Sequence, residues 1–225
     1  MSMSGRSSAE PFSDLSTDPP VRGLRHRPAA PSGDGLVLTH GAGFNCQAPL
    51  LVALADAFAD VGFMVLRYNL PFRQARPFGP PRPGETVRDR QGIRNAISAL
   101  RRFAPGRIFA GGHSYGGRQT TMLCAEEPDL VRGLLLTSYP LHPPGKPKQV
   151  RVEHLPKLRA PALFVHGTSD PFGAIAEIEA AMKLIPARTA LLPVEDAGHD
   201  LGFKGTATQG DLPARVVAEF CRLLA

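Results

Sequence analysis

The sequence from Arg107 to Thr121, RIFAGGHSYGGRQTT, decides the fold of this chain. A short apolar run is followed by small residues and then by a segment that can continue as a helix, which predicts a strand, a sharp turn and a helix. Gly112 to Gly116 fits the pattern G-x-S-x-G, in which small residues beside the serine relieve the crowding of such a turn. Ser114 would then stand at a helix start, where free N–H groups and the helix dipole favour negative charge.

The pattern is weak by itself, because a glycine-rich turn capped by Ser114 would look the same. It gains meaning only if an acid and then a histidine follow at the ends of later strands. Asp170 follows the apolar run 162–165, and His199 follows the run 189–194. In acyl transfer a serine needs a base to accept its proton, and that base needs an acid to hold its tautomer. The sequence therefore predicts Ser114, His199 and Asp170 as a catalytic triad.

Each member of this triad also has a structural interpretation. Asp170 precedes Pro171 and could cap the next helix, and His199 could be a solvated loop histidine. Asp196 and Asp200 are rival acids, but they lie so close to His199 in sequence that neither fits easily behind its ring. Three further histidines near strand ends are interpreted as structural: His40, His113 and His166.

A negative charge develops on the carbonyl oxygen during acyl transfer, and two backbone N–H groups should face it. The N–H of Tyr115, at the predicted helix start, is one candidate. The other should come from the loop after the first core strand, His40-Gly41-Ala42-Gly43. We expect Ala42 to supply it, with Gly43 as the alternative.

Apolar runs and helical spacings alternate along the chain from residue 36, which predicts an α/β fold with a doubly wound, mostly parallel sheet. About six to seven strands can be assigned, and no segment is long enough for a large cap domain. Residues 1–20 are rich in Ser, Asp and Pro and are predicted to be a disordered tail. Residues 21–225 are predicted to form one domain.

Composition narrows the possible functions. The formal charge of +6 is scattered rather than gathered in a stripe, and Trp is absent, which argues against a nucleic-acid module. No apolar run approaches the length of a membrane span, and the N-terminus has no signal-peptide pattern. Three widely spaced cysteines form no zinc-type pair and suit a reducing cytoplasm. We expect no metal and no cofactor.

Two long connections rich in Pro and basic residues, 69–84 and 139–159, should lie beside the predicted site. Loops of this length are often functional. Arg73, Arg76, Arg118 and His142 are predicted to contact the substrate, and the arginines among them are predicted to favour carboxylate-bearing molecules. The alternative is a generally basic surface.

The motifs at 40–43, 112–116, 166–170 and 198–199 together resemble those of an α/β-hydrolase over about residues 36–225. THGAG and the segment 139–144 are similar to a small dienelactone-hydrolase-like group that includes testis-expressed and chromatin-complex (NSL subunit 3) relatives. The resemblance implies an eight-stranded sheet, often with a lid after the sixth strand. Dienelactone hydrolases proper use a cysteine nucleophile; position 114 is serine, so their activity is not implied.

The sequence thus predicts a serine hydrolase of small carboxylic esters or thioesters that works through an acyl-enzyme. Some members of the resembling group serve in complexes, so a binding or scaffold module without turnover is an alternative. For that role, residues such as Phe78 and Arg82 would form part of the contact surface with a protein partner. Acyl transfer to another acceptor, or peptide cleavage, would use the same triad and stays open.

Overall fold

The computed structural model describes residues 8–143, 145–203 and 210–225 of the 225-residue chain. Strands and helices alternate along most of it. In chain order, the elements are β1 (Ser8–Asp14), β2 (Val21–Arg27), β3 (Gly35–Thr39), α1 (Pro49–Asp60), β4 (Met64–Tyr68), α2 (Pro71–Ala75), α3 (Glu85–Arg101), β5 (Ile108–His113), α4 (Tyr115–Glu126), β6 (Leu134–Thr137), β7 (Ala162–Gly167), α5 (Ile175–Met182), β8 (Thr189–Val194) and α6 (Leu212–Leu224).

All these strands join one eight-stranded sheet in the order β1-β2-β4-β3-β5-β6-β7-β8. β1 and β2 are antiparallel to their neighbours, whereas β4, β3, β5, β6, β7 and β8 run parallel. Because parallel neighbours are joined by crossover helices, their carboxyl ends share one edge, and ligands bind at that edge in such sheets. The predicted α/β class with a mostly parallel sheet is confirmed.

Two apolar layers cover the sheet. One layer packs against α1 and α6, and the other packs against α3, α4 and α5. The spacing of apolar residues explains the packing: in α6, Val216, Phe220 and Leu223 are buried and lie on one face of the helix. The strands between the layers are buried on both sides, as in β3 and β5, so their sequences are continuous apolar or small-residue runs rather than alternating ones.

The N-terminal segment differs from its prediction. Residues 8–14 form β1, so the expected disordered tail over 1–20 is wrong for this part, and the sheet has more strands than the six to seven expected. Residues 1–7 lie outside the described residues. The strand escapes prediction because side chains of other elements stabilise it: Arg25 of β2 forms an ion pair with Glu10, and the Phe12 ring packs edge-on against Phe103 with the centroids 5.9 Å apart.

The connections bordering the carboxyl edge carry little regular structure. The connection 69–84 contains the short helix α2, which its sequence did not predict. Between β6 and β7 the described residues form only one 3₁₀ turn, Leu155–Lys157, so no helical cap stands there. None of the helices in the described part is both long and apolar enough to cross a membrane.

Candidate active site

Ser114 occupies the sharp turn between β5 and α4. Its backbone has φ 50° and ψ −118°, a conformation that few non-glycine residues adopt. The turn presses against β3, because a Cβ added to Gly112 would lie 2.0 Å from Thr39 Oγ1, and one added to Gly116 would lie 2.4 Å from the same atom. Only glycine therefore fits at either position, which explains the G-x-S-x-G spacing in this sequence.

A chain of hydrogen bonds starts at this serine. Ser114 Oγ lies 2.8 Å from His199 Nε2, and His199 Nδ1 lies 2.8 Å from Asp170 Oδ2 and 3.0 Å from Oδ1. An ionised carboxylate only accepts hydrogen bonds, so Nδ1–H donates to Asp170 and leaves Nε2 free to accept from the hydroxyl. The structure thus brings together three residues from the ends of β5, β7 and β8 that the sequence singled out.

Phe172 contacts both the acid and the imidazole. The backbone N–H of Phe172 donates to Asp170 Oδ1 over 2.9 Å, and the Phe172 ring stacks on His199 with its centroid 4.1 Å away. The Asp170 side chain is fully buried, whereas 24% of the His199 side chain is exposed. In the described residues, neither Asp196 nor Asp200 forms a hydrogen bond to His199.

The other histidines at this edge are held neutral. Burial, with a smaller effect of His199, lowers the pKa of His113 to about 3, and burial lowers the pKa of His40 to about 4. His40 also has defined partners, because its Nε2 accepts from the Leu70 N–H over 3.0 Å and its Nδ1 lies 2.9 Å from Gly41 O. A neutral imidazole satisfies both contacts, so His40 acts as a structural link between two loops.

The residues of the two predicted oxyanion donors, Ala42 and Tyr115, lie near Ser114. Tyr115 is the first residue of α4, so its N–H has no carbonyl partner within the helix. The loop with Ala42 and Gly43 approaches from β3, since a Cβ added to Gly41 would lie 3.5 Å from Ser114 Cβ. Ala42, Gly43 and Tyr115 all line the cavity that contains Ser114.

That cavity has a volume of about 510 Å³ and opens to solvent. Its walls are mostly apolar. Besides Ser114 and His199, two arginines with positively charged side chains line it. The lining residues are Gly41, Ala42, Gly43, Phe44, Pro80, Pro81, His113, Ser114, Tyr115, Arg118, Pro140, Arg151, Phe172 and His199. This volume falls in the range of small-molecule sites.

Of the four side chains predicted to contact substrate, only Arg118 lines the cavity. Arg73 is buried and donates to backbone carbonyls, Arg76 donates to both carboxylate oxygens of Glu85, and His142 Nε2 lies 3.3 Å from Glu177 Oε2. Their positions give these three side chains a role in holding loops together. The sequence could not reveal this, because Arg73 donates to backbone carbonyls, and the Glu85 and Glu177 partners of Arg76 and His142 are brought near by the fold.

Sequence reasoning missed Arg151, Phe172 and Asp89. Phe172 could have been found from its place two residues after the acid. Asp89 lies in α3, fully buried, and accepts from the Tyr115 hydroxyl over 2.6 Å and from the Phe72 N–H over 3.0 Å. Nothing in the helical spacing of α3 marks it. Within the described ranges, no cluster of three His, Cys, Asp or Glu side chains could hold a metal ion.

Comparisons with known proteins agree with this architecture. A family model described as an alpha/beta hydrolase domain matches residues 33–223. A dienelactone hydrolase from Anabaena variabilis is 18% identical, with a TM-score of 0.77 over 98% of this chain and 100% of that one. An α/β serine hydrolase without a lid from Xanthomonas campestris is 16% identical, with a TM-score of 0.71 over 96% and 94% of the two chains.

A third solved structure, an alpha-beta serine hydrolase homologue from Coxiella burnetii, is 15% identical, with a TM-score of 0.69 over 96% of this chain and 95% of that one. At such low identity these likenesses concern the fold, whereas the family model spans most of the sequence. The chain therefore belongs to the α/β-hydrolase family and is a hydrolase.

Proposed function

We propose that this protein hydrolyses small carboxylic esters or thioesters, with Ser114 as nucleophile, His199 as general base and acid, and Asp170 as the group that orients His199. The observation that carries the proposal is the hydrogen-bonded chain from hydroxyl to imidazole to buried carboxylate, with 2.8 Å at each link. A serine hydroxyl is too weakly acidic to attack at neutral pH, and this arrangement supplies the base it needs.

In the first half-reaction, Ser114 Oγ attacks the carbonyl carbon while its proton moves to His199 Nε2. The imidazolium donates to Asp170 through Nδ1–H, so the carboxylate stabilises the new positive charge without taking the proton. The tetrahedral intermediate collapses when the bond to the leaving group breaks. His199 returns its proton to the departing alcohol or thiol, and an acyl-serine ester remains.

In the second half-reaction, water replaces the alcohol or thiol. His199 accepts a proton from water as its oxygen attacks the acyl-serine carbonyl, and it then returns that proton to Ser114 Oγ. The products are one carboxylic acid and one alcohol or thiol for each water consumed. The opening of the cavity to solvent gives water access to this site.

The backbone N–H groups of Ala42 and Tyr115 are the proposed oxyanion donors, with Gly43 as the alternative to Ala42. Both residues line the cavity that contains Ser114, and Tyr115 adds the positive end of α4. Removal of one such donor typically lowers kcat about 10²–10³-fold. The cavity size and the apolar walls favour a small acyl group. Separately, the three free cysteines agree with the expected cytoplasmic location.

A fluorophosphonate probe tests the nucleophile directly. We expect it to label the wild type and to leave Ser114→Ala unlabelled, while Ser98→Ala, which changes an exposed serine of α3, is labelled like the wild type. Labelling that survives Ser114→Ala would refute the assignment. Absence of labelling and of turnover in the folded wild type would favour the scaffold alternative.

The role of Asp170 has its own test. Asp170→Asn keeps the size of the side chain but favours the wrong tautomer of His199, so we expect kcat for p-nitrophenyl acetate to fall by about 10⁴. Product analysis with an added alcohol or amine separates hydrolysis from transfer, because an acyltransferase would form the acylated acceptor instead of the free acid. A kcat within tenfold of wild type would remove Asp170 from the mechanism.

A further inference from the structure

We infer that Arg118 and Arg151 together form a subsite for an anionic oxygen group, a carboxylate or a phosphate, carried by the substrate beside its reacting ester. This inference rests on the proposed function of the same cavity and names its substrate class. Both arginines line the cavity that holds Ser114 and His199, and they are the only arginines among the described residues that do so.

The two side chains reach this cavity from different elements. Arg118 lies on α4 one turn after Ser114, and its N–H donates to Ser114 O over 3.0 Å. Side chains four residues apart share a helix face and lean toward the helix N-terminus, so Arg118 leans toward the serine. Arg151 comes from the connection between β6 and β7, beside Pro140, and faces the same space.

Neither guanidinium is neutralised by the protein. Among the described residues no carboxylate forms an ion pair with Arg118 or Arg151, and Arg118 Nε is buried without a hydrogen-bond partner. The one hydrogen bond found for the Arg151 guanidinium is long, 3.4 Å from Nη1 to Pro140 O. Both arginines are half-buried, and donors that are partly shielded from water and lack acceptors are unfavourable, so a ligand with anionic oxygens would satisfy donors that the fold leaves free.

The one carboxylate that acts on the neighbouring His154 and Tyr139 is that of Glu153, which is exposed and, among the described residues, forms no ion pair with either arginine. Burial and the nearby Arg118 lower the pKa of His154 to about 4, so this imidazole is neutral at pH 7. Burial raises the pKa of Tyr139 to about 12, which keeps its hydroxyl protonated. Burial and repulsion from Arg118 also lower the pKa of Arg151, which shows that the two cations are close enough to interact. An anion between them would relieve that repulsion.

A hydrogen bond between a charged side chain and a charged substrate group contributes more to affinity than a hydrogen bond between neutral groups. We therefore expect the wild type to favour mono-p-nitrophenyl glutarate, which carries a free carboxylate, over neutral p-nitrophenyl valerate by about ten- to hundredfold in kcat/KM. The ratio should decrease as salt is added, because the cavity opens to solvent and its charges are screened.

The variants Arg118→Gln and Arg151→Gln should each bring this ratio toward one. Arg222→Gln is the matched control: it removes the same charge from an exposed arginine of α6 that pairs with Glu219, and the ratio should stay at the wild-type value. Competition by glutarate and by inorganic phosphate identifies the anion. Inhibition by glutarate alone indicates a carboxylate site, whereas inhibition by both indicates that either group fits.

A wild-type ratio near one, or a ratio that Arg118→Gln and Arg151→Gln leave unchanged, overturns the inference while turnover by Ser114 stands. If no ester is hydrolysed, the proposed function fails, and binding decides the subsite separately. In that case glutarate should raise the unfolding temperature of the wild type and of Arg222→Gln but not of the two cavity variants. The absence of any shift in the wild type would overturn the subsite as well.

Discussion

Two connections rich in proline and arginine border the site, and the fold uses their arginines in opposite ways. In the connection between β4 and α3 (69–84), Arg73 and Arg76 donate to carbonyl and carboxylate groups of the loop and its neighbours. In the connection between β6 and β7 (138–161), Arg151 faces the cavity beside Arg118 without a carboxylate partner. Similar compositions therefore have different results. In the first connection (69–84) the arginines hold the loop in place, whereas in the second (138–161) Arg151 forms, with Arg118, a charged wall of the cavity.

The difference shows what decides whether an arginine is available to a ligand. Arg73 is 93% buried and donates to carbonyls of two loop segments, among them that of Ala42, whose N–H is a proposed oxyanion donor. Arg151 has no comparable set of acceptors. The number of basic residues in a loop is thus a poor guide, because the local supply of acceptors fixes the role of each one.

The largest expected effect in this comparison comes from Arg73→Met. The substitution keeps most of the apolar stem but leaves the carbonyls of Ala42, Phe44, Pro77 and Gly79 without their charged donor. We expect the free energy of unfolding to fall by about 3 kcal/mol and kcat to fall with it, because the Ala42 loop loses its support. Urea denaturation and ester turnover measure the two effects.

Arg73→Lys sharpens this result, since lysine keeps the charge but cannot reach several carbonyls with one planar fork. It should lie between the wild type and Arg73→Met in stability. If Arg73→Met unfolds at the same urea concentration as the wild type, the first connection is not fastened by this arginine, and the contrast between the two connections fails.

A smaller effect is expected at Asp89 of α3, which accepts a hydrogen bond from Phe72 in the same connection. Asp89→Leu removes the acceptor of the buried Phe72 N–H and of the Tyr115 hydroxyl, so we expect a loss of about 2 kcal/mol in the free energy of unfolding. Asp89→Asn keeps an acceptor oxygen and should lose much less. Equal stability of the two variants would show that shape, rather than hydrogen bonding, sets the requirement at this position.

The sequence predicted the parallel core of the fold because buried parallel strands leave a local signal. Runs such as Leu36–Thr39 and 162–165 are apolar throughout and are followed by helical spacings, so strand and helix alternate visibly. β1 left no such signal: its sequence, SAEPFSD, has no continuous apolar run, and its position depends on pairing with β2 and on the ion pair between Glu10 and Arg25. A strand that is held by pairing and side-chain contacts with another element leaves no signal in its own periodicity.

The same distinction applies to the site. Ser114, Asp170 and His199 could be proposed from the order of motifs, because each follows a predictable strand and parallel strands bring their ends to one edge. The arginines could not be ranked, since Arg73 and Arg118 look alike in sequence and differ only in the acceptors around them. The predicted contact role therefore suited one of the four side chains chosen, and Arg151 was missed.

The pH dependence of stability should reveal the half-buried His154 of the second connection, 138–161. His154 Nε2 lies 2.8 Å from Thr121 Oγ1, and burial together with Arg118 lowers the pKa of His154 to about 4 in the folded protein. An unfolded histidine has a pKa of about 6.5, so between these values the unfolded state binds more protons. Stability should therefore fall as pH drops below about 6.5 and level off near 4.

His154→Gln keeps a polar group but cannot titrate, so it removes this contribution from the acid decline. Because His40 and His113 also have lowered pKa values, only the difference between the variant and the wild type is attributed to His154. For each protein we take the drop in unfolding temperature from pH 7 to pH 4.5. We expect this drop to be about 2–4 °C larger in the wild type than in His154→Gln. Parallel curves for the two proteins would contradict the assignment.

The smallest effect is expected from Arg76→Gln in the first connection. Arg76 donates to both carboxylate oxygens of Glu85 and to Pro80 O, but the pair lies near the surface, where water and salt weaken ion pairs. We expect an unfolding temperature within about 1 °C of the wild type and an unchanged ratio of anionic to neutral ester turnover. A large loss of stability would place Arg76 with Arg73 as an essential fastener. A fall in the ratio of anionic to neutral ester turnover would instead show that Arg76 also acts on the anionic substrate. The contrast between the two connections would then not hold for Arg76.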